Sequence, residues 1–173
     1  MKKLALIFSI VAVLSIPSLA QQNAGDAKDA LGVVNKLFAE MAAHNPAGIV
    51  ALHTPEAQLV AAIKNKQGKS GIRTFTAEAF SKSFAEKKNE LKEEMYAPET
   101  KIYGDLALVW GRYVFFIDGK ISHCGVNAFH LVRTDAGWKI ANASTTIEPQ
   151  GCTEQEKAMK AGAPTTTTAP TKQ

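Results

Sequence analysis

GRYVFFIDGKISHCGVNAFHLVRTDAGWKIANAS, from Gly111 to Ser144, decides the fold. Its residues alternate in polarity with a period of two, and two turn signals interrupt them, Asp118-Gly119 and Thr134-Asp135-Ala136-Gly137. Asp-Gly suits a two-residue type I′ hairpin turn, which needs positive φ at both central positions. The stretch therefore reads as an antiparallel meander, and the period of two continues back to Leu91. Strands are expected at 91–97, 99–103, 105–117, 120–133 and 137–147.

Upstream of Leu91 the period is helical. Leu31, Val34, Phe38 and Met41, widened by Val33 and Leu37, place an amphipathic helix from Asp26 to about His44. Asn45-Pro46 then gives a cap and a first-turn proline for a short helix to Leu52. Ala57–Ile63 reads as a strand and 64–73 as a loop carrying Lys64, Lys66, Lys69 and Arg73. Thr76 caps a third helix, Ala77 to about Asn89, edged by Phe80 and Phe84. Helices followed by a meander make an α+β domain, a curved antiparallel sheet with the helices on one face.

The ends differ from this domain. Met1–Ala20 opens with Lys2 and Lys3, continues through an apolar run from Leu4 to Ile16, and closes on Pro17-Ser18-Leu19-Ala20, the pattern of a cleaved signal peptide. That run is too short for a spanning helix, which needs about 20 residues, so no stable membrane anchor is expected after cleavage. Gln21–Gly25 is a polar leader, and 153–173, with four consecutive threonines and two prolines, reads as a disordered tail. One domain, 26–152, remains from 173 residues. The formal charge of +4 falls to +2 once Lys2 and Lys3 are removed, and Lys160 and Lys172 lie in the tail. No basic face interleaved with aromatics remains to bind nucleic acid. Export to the periplasm or the medium favours a disulfide between the only cysteines, Cys124 and Cys152. Their loop of 28 positions corresponds to about 3.5 kcal/mol in the chain-entropy treatment.

A straight two-residue hairpin at Asp118-Gly119 would set Val114 opposite His123, Arg112 opposite Gly125 and Trp110 opposite Asn127. Continued into the last strand, it would set Phe129 opposite Asn142 and Asn127 opposite Ser144. On that register Trp110, Arg112, His123, Asn127, Phe129 and Asn142 share the helix-covered face, with polar groups converging on an apolar floor of Leu108, Phe129, Leu131 and Ile140. This is the usual form of a small-molecule site, and these six are the expected ligand-binding residues. A single bulge would carry Arg112 out to solvent. The other face, with Val109, Tyr113, Phe115, Val126 and Val132, is also apolar, and its natural cover is a second copy of the chain.

The order of elements, the stretch from Gly111 to Ser144 with its Gly-Trp-Lys-Ile hairpin, and the paired cysteines resemble the nuclear transport factor 2-like superfamily. Within it the chain is similar to exported SnoaL-like or lumazine-binding-like bacterial proteins. The resemblance covers 26–152 and implies a cone-shaped, cystatin-like α+β barrel that often pairs sheet to sheet. Isomerases and dehydratases of that fold use a carboxylate or a His-Asp arrangement inside the cone. Asn127 and Asn142 cannot accept a proton near neutral pH, which leaves His123 as the one candidate base in the expected pocket. Hydrogen bonding at the pocket rim explains His123 without catalysis. No nucleophile elbow, phosphate loop, dinucleotide fingerprint or metal-ligand spacing occurs, so neither cofactor nor metal is expected. His123 and His130 point to opposite faces of one strand, and His44 and His53 fall at helix ends. The cationic loop 64–73 can attract an anion or remain simply solvated. Three classes stay open: an exported small-molecule-binding domain, an enzyme using His123, and an interaction module with a filled cone.

Overall fold

The computed structural model describes residues 19–65 and 67–159, with side chains from Ala24 onward. In chain order the elements are α1 (Leu19–Ala42), α2 (Pro46–Ala51), β1 (His53–Lys64), β2 (Ser70–Thr76), α3 (Ala77–Lys82), β3 (Leu91–Tyr103), β4 (Leu106–Ile117), β5 (Lys120–Thr134), β6 (Gly137–Ile147) and α4 (Glu154–Lys157). The six strands form one unclosed sheet in the order β2-β1-β6-β5-β4-β3. It is mixed, because β1 runs parallel to β6 while every other pair is antiparallel. The α+β class stands, and the expected all-antiparallel sheet is corrected at that one pair.

The stripe of α1 does what its spacing predicts. Ala30, Val34, Leu37, Phe38 and Met41 are buried against the concave face of the sheet, with Val109, Phe129, Leu131, Trp138 and Ile140. Phe38 meets Phe129 edge-on with ring centroids 6.0 Å apart. Asn45 caps α2 by accepting from the Gly48 amide, and Thr76 caps α3 by accepting from the Ala79 amide. Arg133 ties the outer end of β5 to α1 through Asp26 at 2.6 Å and stacks its guanidinium 4.4 Å from the Trp138 ring centre. Among the described residues no helix is long and apolar enough to cross a membrane.

Several boundaries differ from expectation. The segment read as a cationic loop is a hairpin, β1–β2, and α3 stops at Lys82 well short of Asn89. The strands expected at 91–97 and 99–103 are one strand, β3, with an irregularity between Tyr96 and Glu99 where Ala97 takes a positive φ of 46°. The polar leader 21–25 belongs to α1. The beginning of the supposed tail folds back as α4, with a complete Thr153/Glu156 capping box. The rest of the tail and nearly all of the expected signal peptide lie outside the described residues. Asp118 and Gly119 take φ of 50° and 73°, as a type I′ turn requires.

Two bulges decide which side chains face the helices. In the β4–β5 hairpin Ile117 pairs with Lys120 and Phe116 with Ile121, but Phe115 pairs with His123, leaving Ser122 over. From there every partner is displaced by one: Tyr113 faces Gly125, Gly111 faces Asn127 and Val109 faces Phe129. A side-chain period of two turns that single residue into a reversal of the whole of β4. Tyr113 and Phe115 therefore point inward, while Trp110, Arg112 and Val114 point outward. In β6, Leu131 pairs with Ile140 but His130 with Asn142, leaving Ala141 over. Ala143 and Thr145 thus replace Asn142 and Ser144 on the concave side.

Candidate functional site

The concave side is incompletely filled. A cavity of about 270 Å³ lies between α1, α3 and the sheet, lined by Leu37, Phe38, Met41, Phe80 and Phe84 above and by strand residues below. Along β1 and β6 its floor carries small side chains at three inward positions. Ala61, Ala143 and Thr145 stand inward on β1 and β6, so the space a larger residue would occupy stays open.

The polar groups gather at one wall. Asn127 on β5 is almost wholly buried and donates from Nδ2 to Oε1 of Glu93 on β3 at 2.6 Å. Burial raises the Glu93 carboxyl to about 7, against the opposing effect of the Asn127 hydrogen bond. Beside them the Tyr113 hydroxyl donates to the Thr146 carbonyl at 2.9 Å, and burial holds its phenol protonated well above the ordinary range. His123 stacks on Phe115 with centroids 5.0 Å apart, and its Nδ1 lies 3.1 Å from the Ser122 hydroxyl. Burial lowers its pKa to about 4, so the ring is neutral at physiological pH.

Of the six expected ligand-binding residues, His123, Asn127 and Phe129 line the cavity. Trp110, Arg112 and Asn142 do not. The Ser122 bulge puts Trp110 on the convex face, 44% exposed, and the Ala141 bulge puts Asn142 on the exposed side of β6. Arg112 is spent on structure: its Nε donates to Glu156 Oε1 at 2.7 Å and its Nη2 to Oε2 at 3.0 Å. Glu93 is the site residue that sequence reasoning missed. Six consecutive partly buried residues, Leu91 to Tyr96, give that strand no clean alternation, and its facing is set by pairing with Phe115.

Two further histidines, His53 and His44, make structural contacts. His53 is buried at the start of β1 with Nδ1 2.8 Å from the Ile49 carbonyl, and desolvation lowers its pKa. His44, at a positive φ of 52°, sets its ring nitrogens against the Phe84 and Asn89 carbonyls at 3.1 and 2.9 Å. Cys124 and Cys152 are joined, with Cα atoms 5.2 Å apart. They and Glu156 lie close enough together to suggest a metal site, but the sulfurs are bonded to each other and the carboxylate is engaged by Arg112.

No family model matches the chain, and no curated protein does. Solved structures match its fold at low identity. A protein described as NTF2-like with a cystatin-like fold, from Novosphingobium aromaticivorans, superposes with a TM-score of 0.60 at 11% identity, over 83% of this chain and 97% of that one. A nuclear transport factor 2-like superfamily protein from Salmonella enterica gives 0.58 at 13% identity, over 76% and 97%. A candidate dehydratase of the NTF2-like family from Streptomyces avermitilis gives 0.57 at 14% identity, over 72% and 96%. The chain has the nuclear transport factor 2-like, cystatin-like fold, and at these identities the likeness is one of fold.

Proposed function

We propose that the chain is an exported protein whose cone binds a small, largely apolar molecule through one polar group presented to Glu93 and Asn127. The observation that carries this reading is the open volume of about 270 Å³ with a hydrogen-bonded carboxyl and carboxamide at one wall. An apolar cavity with a few convergent polar groups is the common form of a ligand site, and it counts against a filled cone. Filling the floor tests it. Ala61→Leu together with Ala143→Leu should abolish binding of any ligand found by a thermal-shift screen of small aromatic and alicyclic compounds. A hit that binds the filled protein equally well would overturn the assignment.

A second reading, an isomerase, dehydratase or cyclase, draws on the same wall. A carboxyl with a pKa near 7 can both take and return a proton at physiological pH, whereas His123 is too weakly basic to be the better base. Turnover of an enolisable ketone, lost in Glu93→Gln and kept in His123→Gln, would favour it.

We also assign a homodimer to the convex face. Among the described residues, the C-terminal segment to Met159 packs at the end of that face holding Val114, Phe116 and Cys124. Leu106 and Trp110, half exposed, remain at the other end beside Tyr103. Trp110→Lys should yield monomers by light scattering at concentrations where the parent chain is dimeric. Trp110 thus moves from the expected pocket to the expected interface.

A further inference from the structure

Strand β2 turns a cation toward the cavity. Its register on β1 sets Phe75 opposite Leu59 and Arg73 opposite Ala61, both facing the cavity, while Ile72 faces solvent and is 75% exposed. An inward-pointing charge is one way an edge strand is guarded against pairing, and this one lies on the lining of the cavity. Arg73 thus brings a cation to the cavity's β2 edge, one of the two edge strands that border it, while Phe75 keeps the usual inward apolar placement.

The same registers define a row across the sheet. Arg73 on β2 faces Ala61 on β1, Ala61 faces Thr145 on β6, and Thr145 faces Asn127 on β5. Arg73 and Asn127 thus lie three strand spacings apart, roughly 14 Å along the sheet. Only Ala61 and Thr145 stand between them. That span, shortened by the reach of the arginine, fits a one- or two-ring molecule with substituents at both ends.

Arg73 forms no ion pair among the described residues. Lys64, on the same hairpin, reaches the Glu148 carboxylate at 4.0 Å. Glu93, the carboxyl on the opposite wall, is held by Asn127. A guanidinium stays charged at any physiological pH and recognises carboxylates in a planar, two-pronged geometry.

Resting on the cavity reading above, we infer that the ligand is a small apolar carboxylate, its carboxylate held by Arg73 at the rim and its far carbonyl or hydroxyl by Glu93 and Asn127. The cone then discriminates by charge at one end and by hydrogen bonding at the other, with apolar contacts between.

Two probes of equal shape test this, 2-naphthoate and 2-naphthamide, titrated calorimetrically into the full chain at pH 7 in low salt. The carboxylate should bind about 10-fold more tightly than the amide. Arg73→Gln should bring that ratio close to one, with an unchanged thermal unfolding midpoint confirming that the exposed edge still folds. Equal affinities in the parent chain, or a preference that survives Arg73→Gln, would overturn the carboxylate assignment while the cavity reading stands. If neither probe binds, the cavity reading falls and takes this inference with it.

Discussion

Arg112 and Glu156, 44 positions apart, form a two-pronged ion pair on the convex face in which the carboxylate is fully buried. Tyr96 donates its hydroxyl to the same carboxylate, and the Thr153 amide donates to it at 2.6 Å. Burial alone would push the Glu156 carboxyl up, but Arg112, Tyr96 and Thr153 together hold it below the ordinary range. Removing the cation would leave a buried charge without its partner, the most expensive way to break such a pair. Arg112→Met should therefore lower stability by about 3 kcal/mol in urea unfolding, and Arg112→Met with Glu156→Leu should recover most of that. A single substitution that costs nothing would remove the pair from any structural role.

Glu93 and Glu156 should drive stability in opposite directions with pH. Glu93 has a folded pKa near 7, above its unfolded value of 4.5, so the folded chain binds the extra proton between those two pH values. Its contribution is present below pH 4.5 and is lost as pH rises through 7. The size is about 3 kcal/mol by linkage. Glu93→Gln should thus be nearly neutral at pH 4 and stabilising at pH 8. Glu156 is the reverse case: its contribution is present above its unfolded pKa and is lost as pH falls through the depressed folded value. Relative to the parent chain, both variants should differ most at the alkaline end of a series from about pH 3 to 9, Glu93→Gln more stable and Glu156→Gln less stable, and both differences should shrink toward pH 3; differences that do not change with pH would refute both assignments.

The disulfide holds the segment from Glu148 to Met159 against Val114, Phe116 and Ile121. Closing a loop of 28 positions should contribute about 3.5 kcal/mol. Cys124→Ser with Cys152→Ser should lose about that much and should raise amide exchange first at Gly151 to Met159. The cavity wall, on the other face of the sheet, should keep its protection. Uniform loss of protection would mean that the bridge staples the whole sheet.

The first two helices, the start of the third, the caps at Asn45 and Thr76, the Asp118-Gly119 turn and the inward set of β5 were legible in the sequence, because each rests on a local spacing or a single turn geometry. The site was legible only in part. His123, Asn127 and Phe129 sit on the strand whose facing follows from its own alternation. Trp110, Arg112 and Asn142 sit beyond the bulges at Ser122 and Ala141. A bulge adds one ordinary residue with no composition of its own, yet it exchanges the two faces of everything paired after it. Glu93 was hidden for a related reason, since Ala97-Pro98 interrupts its strand and its neighbours are partly buried on both faces. The C-terminal helix escaped notice because four residues of a polar segment carry no period. Its anchor is a carboxylate whose cation lies in a distant strand.

Gly125 offers the sharpest test of how the end of the sheet closes over the cavity. It faces Tyr113 across the β4–β5 ladder, and the Thr146 backbone passes directly over it. A Cβ built there would lie 1.9 Å from the Thr146 carbonyl oxygen, the acceptor of the Tyr113 hydroxyl. The obstructing atom is backbone, and the Thr146 hydroxyl also accepts from the Val126 amide, so β6 cannot step aside without breaking two hydrogen bonds. Gly125→Ala should destabilise the chain by about 3 kcal/mol or more, the range of a strained, overpacked core position. Gly111→Ala, on the same face, would meet the flexible Met95 methyl at 3.0 Å but also the Pro98 backbone at 3.1 Å, so it should cost less. Equilibrium unfolding of the two variants decides the point. If Gly125→Ala is the milder of the pair, Thr146 does not cross as closely as described, and the Tyr113 end of the cavity is open.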